Sequence, residues 1–414
     1  AASDVYKRQL TWLLVGLALL EAGLATKRHL MRAQGYMLVA CGTFAILGIN
    51  LARVDINTAG FSLSELVLPN WQLCSVAAAA LYYWAWRMFR CSGRLMKVEN
   101  DLNFVPSWAA TAILTLLIFR ELEWPILAAG WMLLGLVLFA IGWLRETFHL
   151  RAQAYVLSAG SFVAAVAINI YELQPNPNGD NLADWAMAGF VAAGLAGIYF
   201  TARKNIGSTT DWSPEDNVVI TTSYGATLLL SLILWRELPT GVLAGSWMGL
   251  ALILFAIGWV ITAFHLRVQA YALSLASFAV AVLVNIYGLL PLPTQSHGMP
   301  GWAVAGCVTV GLAAIYVSTR RLPDVTIGWF VERDVTVNAS YGATLLLSLI
   351  LWKELPSVAV AVAWTVLSLT LFEISCKFGL SSLRYQSHLL MIAVFGRVFM
   401  ANFTIVDEVF GLSH

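Results

Sequence analysis

The sequence predicts an all-α, polytopic integral membrane protein with about 14 transmembrane helices, arranged as tandem parallel four-helix repeats of roughly 117 residues. Three observations carry that reading. Hydrophobic residues make up 59% of the 414-residue chain and charged residues only 11%, and the mean hydropathy is +0.76. A soluble domain is about 25% charged, and so large an apolar excess has no aqueous core to hide in. The segment 223–239 returns almost letter for letter as 340–356, and a looser copy begins at Ser107. Landmarks keep the same step: Trp12, Trp131, Trp247 and Trp364 are spaced 119, 116 and 117, as are Arg32, Arg151, Arg267 and Arg384, and Asn50, Asn169, Asn285 and Asn402. Self-similarity at a fixed period is the mark of a repeat architecture.

The third copy shows the elements in order. Helix A is expected over 218–235, helix B over 241–263, helix C over 268–289 and helix D over 302–319. Each offers about the 17–25 apolar residues that cross a bilayer as a helix. The apolar runs are too long for strands and do not alternate. A meets B in the tight turn Arg236-Glu-Leu-Pro239, where proline stops the first helix. B meets C in a short basic link, C meets D in a Pro/Gly/Asn-rich loop such as 174–184, and D meets the next A in a longer polar loop such as 203–217.

The first copy has no helix A and the last no helix D, which leaves fourteen helices. The repeats then fall at 10–104, 105–216, 217–334 and 335–414. Asp4-Val-Tyr-Lys-Arg-Gln9 reads as a translated transposon-end sequencing adapter, so residues 1–9 are set aside. With both ends falling inside a repeat, the chain reads as a fragment of a longer protein.

An even number of helices per repeat gives every copy the same orientation, unlike inverted-repeat transporters. The B–C and D–A links then share one side. They hold 17 Lys and Arg residues against 4 in the A–B and C–D links, so the positive-inside rule makes them cytoplasmic. Glu121, Glu237, Glu354, Glu172, Asp180 and Asp184 gather on the opposite side.

Few residues invite chemistry. Arg397 lies inside the last helix C, thirteen residues after Arg384, where the other copies have Val280, Ala164 and Ala45. A charge at that depth costs about 2.5–3.5 kcal/mol on insertion scales and marks a candidate ligand or transport group. The competing reading has it snorkel, or pair with Glu354 or Asp407. Glu21 and Glu373 share one place in helix B, where the other copies have Ala140 and Ala256. Such carboxylates can relay protons, although Glu373 also sits four residues before Lys377, a favourable helix pair. The Glu121, Glu237 and Glu354 row, each residue preceded by Arg or Lys, can either hold a head group or cap its hairpin. The candidate functional set is therefore Arg397, Glu373, Glu21, Glu354 and Glu237.

Other polar residues read as packing groups. Gln34, Gln153, Gln269 and Gln386 open helix C and the four asparagines close it, positions suited to interhelical hydrogen bonds. The stripe Tyr224, Thr227, Ser231 and its copy Tyr341, Thr344, Ser348 reads the same way. Gly245 and Gly249 form a GxxxG, a signal for close helix contact. Five scattered Cys residues show no CxxC pair. His29, His149 and His265 stand one per link, without a second ligand at helical spacing. No phosphate loop, zinc motif or nucleophile elbow occurs, so neither a cofactor nor an enzyme activity is expected. The net charge of +1 gives no reason to expect a nucleic-acid partner.

The Arg/Lys-Glu-Leu-Pro turn, the Ala-Trp of helix B and the Leu-Arg-x-Gln opening of helix C resemble the uncharacterised multi-repeat "predicted membrane protein" families of bacteria. That resemblance implies a bacterial inner-membrane location and no catalytic residues. Two functions are expected to compete: a non-enzymatic membrane scaffold or assembly subunit whose partners are the lipid bilayer and other membrane proteins, and a transporter or lipid-handling protein using Arg397 and the outer acidic row.

Overall fold

The computed structural model describes residues 2–51, 61–63, 66–68, 70–91, 99, 103–172, 181–206, 214–289, 300–320, 326–327 and 330–409. Among them are fourteen helices: α1 Ala2–Thr26, α2 His29–Leu51, α3 Asn70–Cys91, α4 Val105–Glu121, α5 Trp124–Leu144, α6 Phe148–Ala164, α7 Asn181–Ile206, α8 Pro214–Glu237, α9 Thr240–Val260, α10 Phe264–Val280, α11 Gly301–Thr319, α12 Glu332–Glu354, α13 Ser357–Phe378 and α14 Ser381–Val409. Ten of the fourteen are long and apolar enough to cross a membrane: α1, α5 to α13. The chain is a helical membrane protein. The expected strand-free architecture holds for the helices, but two short antiparallel hairpins occur in connections: β1 Phe61–Leu63 with β2 Leu66–Leu68, and β3 Thr326–Ile327 with β4 Phe330–Val331.

The chain divides into two compact units, residues 1–229 and 230–414. Within the first, α1 packs along α2, α5 along α6, and α3 along α4, while α3 also meets α1 and α7 meets α5. Within the second, the same relations recur: α9 with α10, α13 with α14, α11 with α12, and α11 with α9. The D-type helices α3 and α11 are thus the main partners of the A-type helix that follows each.

The turns explain why the elements break where they do. Pro125, Pro239 and Pro356 open α5, α9 and α13 or stand directly before them, where a missing N–H costs nothing. Each tight B–C turn is closed by a residue in the left-handed region: Lys27 at φ 58°, Glu146 at 53°, Thr262 at 55° and Gly379 at 68°. All four lie five residues before a landmark arginine. Only Gly379 adopts this conformation without steric cost. At the far end, α6 and α10 widen into π-helix over Ala165–Ile170 and Ala281–Ile286. Hydrophobic periodicity does not reveal this change of winding. It ends both helices on a buried asparagine, Asn169 or Asn285.

Small residues set the helix spacing. A Cβ added to Gly23, Gly142 or Gly258 would stand 2.8, 2.9 or 3.0 Å from the Cγ of Arg32, Arg151 or Arg267. Glycine there lets the arginine stem cross the neighbouring helix. The Gly245/Gly249 pair does not do this. Nothing lies within 4 Å of a Cβ built on Gly249, and Gly245 meets only Val304 at 3.5 Å. A GxxxG spacing reports which face is small, not whether another helix lies on it. In lipid, where apolar helices gain no hydrophobic energy from meeting, such contacts work through dispersion and hydrogen bonds. Apolar side chains such as Leu133, Val137, Ile141 and Leu144 point away from the core, at 42–80% exposure, as lipid-facing residues do.

Candidate functional site

The charged residues that the fold gathers most tightly are not those singled out above. Arg267, on the first turn of α10, donates from Nε and NH2 to the two carboxylate oxygens of Glu332, at 2.7 and 3.0 Å. Tyr271, one turn later, donates to the same carboxylate at 2.5 Å. Glu332 is the first residue of α12, where the helix dipole favours a carboxylate. Both side chains of the pair are almost wholly buried, at 5% and 3% exposure.

The same cluster occurs twice in the first unit. Arg151 donates to Glu215 at 2.8 and 3.0 Å, and Tyr155 donates to Glu215 at 2.8 Å. Arg32 donates to Glu99 at 2.8 Å, and Tyr36 donates to it at 3.1 Å. In each case the arginine comes from a C-type helix and the glutamate stands at or ahead of the next A-type helix. The three glutamates are spaced 116 and 117 and the three tyrosines 119 and 116, in step with the landmarks. That signal was readable, but the glutamates fall in polar loops outside the recurring helix motifs. The fourth copy departs from the pattern. Ser375 and His388 stand where glycine and tyrosine would be, and Arg384 is exposed.

A second polar layer starts two residues after each landmark arginine. Gln153 donates to Ser107 Oγ at 2.8 Å and accepts from Thr111 at 2.6 Å. Gln386 donates to Ser340 Oγ and accepts from Thr344, both at 2.7 Å. Trp131, Trp247 and Trp364 each donate their indole N–H to a carbonyl sixteen residues earlier, on Thr115, Ser231 and Ser348, at 3.0–3.2 Å. At the other end Asn169 donates to the Pro125 carbonyl and Asn285 to that of Gly241, at 2.9 and 2.8 Å. Lys353 donates to the Asn285 carbonyl at 2.9 Å, closing the π-helical end. These glutamines and asparagines act as the expected interhelical bonds. Gln34 instead is exposed, and the Asn50 and Asn402 side chains lie outside the described residues.

The five candidate residues are not brought together. Glu21, Glu373, Glu354 and Glu237 are exposed on separate helices. The expected Glu373–Lys377 pair is not formed. Lys377 Nζ lies instead 5.8 Å from the Phe378 ring centre. Among the described residues Glu237 pairs with its neighbour Arg236, at 3.6 Å. Glu121 is bonded by Gln72. Arg397 is half-buried, and its Nε has no hydrogen-bond partner among the described residues. Its expected partner Glu354 is exposed, and the Asp407 side chain lies outside the described residues.

Two apolar grooves run beside the clusters. In the second unit a groove of ≈ 910 Å³ lies between α10 and α12, lined by Leu275, Phe278, Tyr341, Leu345 and Leu389. In the first unit a groove of ≈ 500 Å³ lies between α2 and α4, lined by Tyr36, Phe44, Tyr82 and Phe89. Arg397 lines neither. Among the described residues, no three His, Cys, Asp or Glu side chains stand close enough together to hold a metal ion. Comparison of the chain with protein-family models, with curated proteins and with solved structures finds no match.

Proposed function

We propose that this protein is a non-enzymatic membrane scaffold: fourteen transmembrane helices in tandem four-helix units, with the B–C and D–A connections on the cytoplasmic side. The observation that carries the reading is where its buried polar groups are spent. The arginine–glutamate–tyrosine clusters and the glutamine layer join one helix to another and leave each carboxylate saturated by a guanidinium and a phenol. Charges that serve transport face a water-filled path, whereas these, at the ends of their helices, are consumed in holding helices at fixed spacing.

The second reading, lipid handling, is favoured by the two apolar grooves, each of which includes a cluster tyrosine, Tyr36 or Tyr271, in its lining. Reconstitution separates the two. Under the scaffold reading, proteoliposomes of the purified chain show neither ion flux nor lipid scrambling above empty vesicles. Flux abolished by Arg397→Leu, or scrambling abolished by Leu275→Trp in the larger groove, would overturn it. The sidedness is tested by single cysteines placed at Arg145 and Glu354. A membrane-impermeant maleimide added to intact cells should label the second and spare the first.

A further inference from the structure

We propose that a polar cavity in the second unit, between the end of α11, the start of α12 and the α13–α14 turn, binds a phosphate-bearing anion. The cavity has a volume of ≈ 460 Å³. Arg320 and Arg333, both exposed, line it, and no ion pair with a carboxylate among the described residues holds either. The carboxylate in its wall, Glu332, is committed to Arg267 and Tyr271. Ser381 and Ser382 line it from the first turn of α14, whose leading N–H groups have no partner within the helix and favour an anion. Tyr316 fixes the turn through a 2.8 Å bond between its hydroxyl and Ser382 Oγ, and it carries Arg320 over its ring at 5.3 Å.

The corresponding place in the first unit explains why there is a cavity. There Trp86 and His149 fill the space edge to face, with ring centres 5.1 Å apart. By the repeat spacing of 116 and 117, Trp86 corresponds to Thr319, His149 to Ser382 and its neighbour Phe148 to Ser381. Two packed rings are thus replaced by Thr319 and Ser382 and the exposed Phe148 by Ser381, while the copy between them has Ala202, His265 and Phe264. Arg320 follows the pattern, matching Arg87 and Arg203. Arg333 does not: the other copies have Asn100 and Asp216 there. The same junction has therefore lost its aromatic filling and gained a second cation. An anion held between two guanidiniums and a helix N-terminus accounts for both, with charge-assisted bonds in the strong class.

The ligand class is a phosphate group, from a phospholipid head group or a soluble phosphate compound. The full chain, purified in neutral detergent, is titrated with inorganic phosphate against chloride at fixed ionic strength, with the unfolding temperature as readout. Its retention of phosphatidylglycerol over phosphatidylcholine is measured by native mass spectrometry. Wild type should show a phosphate-specific rise in unfolding temperature, a phosphatidylglycerol preference, or both. The first alone points to a soluble ligand and the second alone to a lipid. Arg333→Asp, which restores the charge of its counterpart, should weaken the response by about tenfold or more. Ser382→His, which refills the cavity, should weaken it too, and Arg145→Gln on another turn should leave it intact. Absence of both wild-type responses overturns the proposal. So does a response that survives Arg333→Asp and Ser382→His in variants whose circular dichroism and elution match wild type.

Discussion

Replacing Glu332 by glutamine removes one negative charge from the most buried cluster and changes almost nothing in size. The cost follows from the geometry. Arg267 uses two of its donors on the carboxylate, and its other hydrogen bond, to the Gly258 carbonyl, is long at 3.5 Å. With its side chain 5% exposed, the guanidinium has no water to turn to. Glutamine offers one acceptor where two were used and turns its NH2 toward a cation. Removing one partner of a buried pair costs about 3–5 kcal/mol. The sister pair Arg151–Glu215 is 18% and 20% exposed, so part of the lost interaction is returned by solvation, and Glu215→Gln should cost about 1–3 kcal/mol. Replacing both charges, as Arg267→Met with Glu332→Leu, removes the stranded cation and should recover most of the loss. The assay is the unfolding midpoint in mixed micelles of mild detergent and dodecyl sulfate, followed by circular dichroism and tryptophan fluorescence. Equal losses for Glu332→Gln and Glu215→Gln, or a double variant no better than the single, would refute the reasoning.

Three further outcomes are expected in the same assay. Gly379→Ala should lose about 1 kcal/mol because its φ of 68° suits glycine, while Thr262→Gly at the matching turn should gain about 0.5–1 kcal/mol. A midpoint shift of the same sign for both would contradict this account. Gly142→Ala drives a Cβ to 2.9 Å from Arg151 Cγ and 3.0 Å from its backbone nitrogen, and should cost about 1–3 kcal/mol. Gly249→Ala, with open space around it, should instead stabilise by up to about 1 kcal/mol. A double-mutant cycle of Gln386→Leu with Thr344→Val should give a coupling of about 0.6–1.7 kcal/mol through their 2.7 Å bond; a coupling of zero would remove the glutamine layer from the list of contacts that hold the helices.

The sequence by itself determined what depends on nearby residues. Apolar runs of bilayer length predicted the helices. In the third copy the expected 218–235, 241–263, 268–289 and 302–319 fall on α8, α9, α10 with its π-helical end, and α11. Proline predicted the A–B turns because its missing N–H acts where it stands. What the sequence left open depends on residues brought from afar. Arg32 meets Glu99 across 67 positions, Arg151 meets Glu215 across 64 and Arg267 meets Glu332 across 65. Only the packing of a C-type helix near the following A-type helix brings those charges within bonding distance. The same holds for absences. That Gly249 faces open space, that Glu373 leaves Lys377 unpaired and that Ser381 and Ser382 border a cavity are facts about neighbouring helices. A single helix carries its own hydropathy and turn chemistry, but burial and charge pairing are properties of the surfaces that meet it.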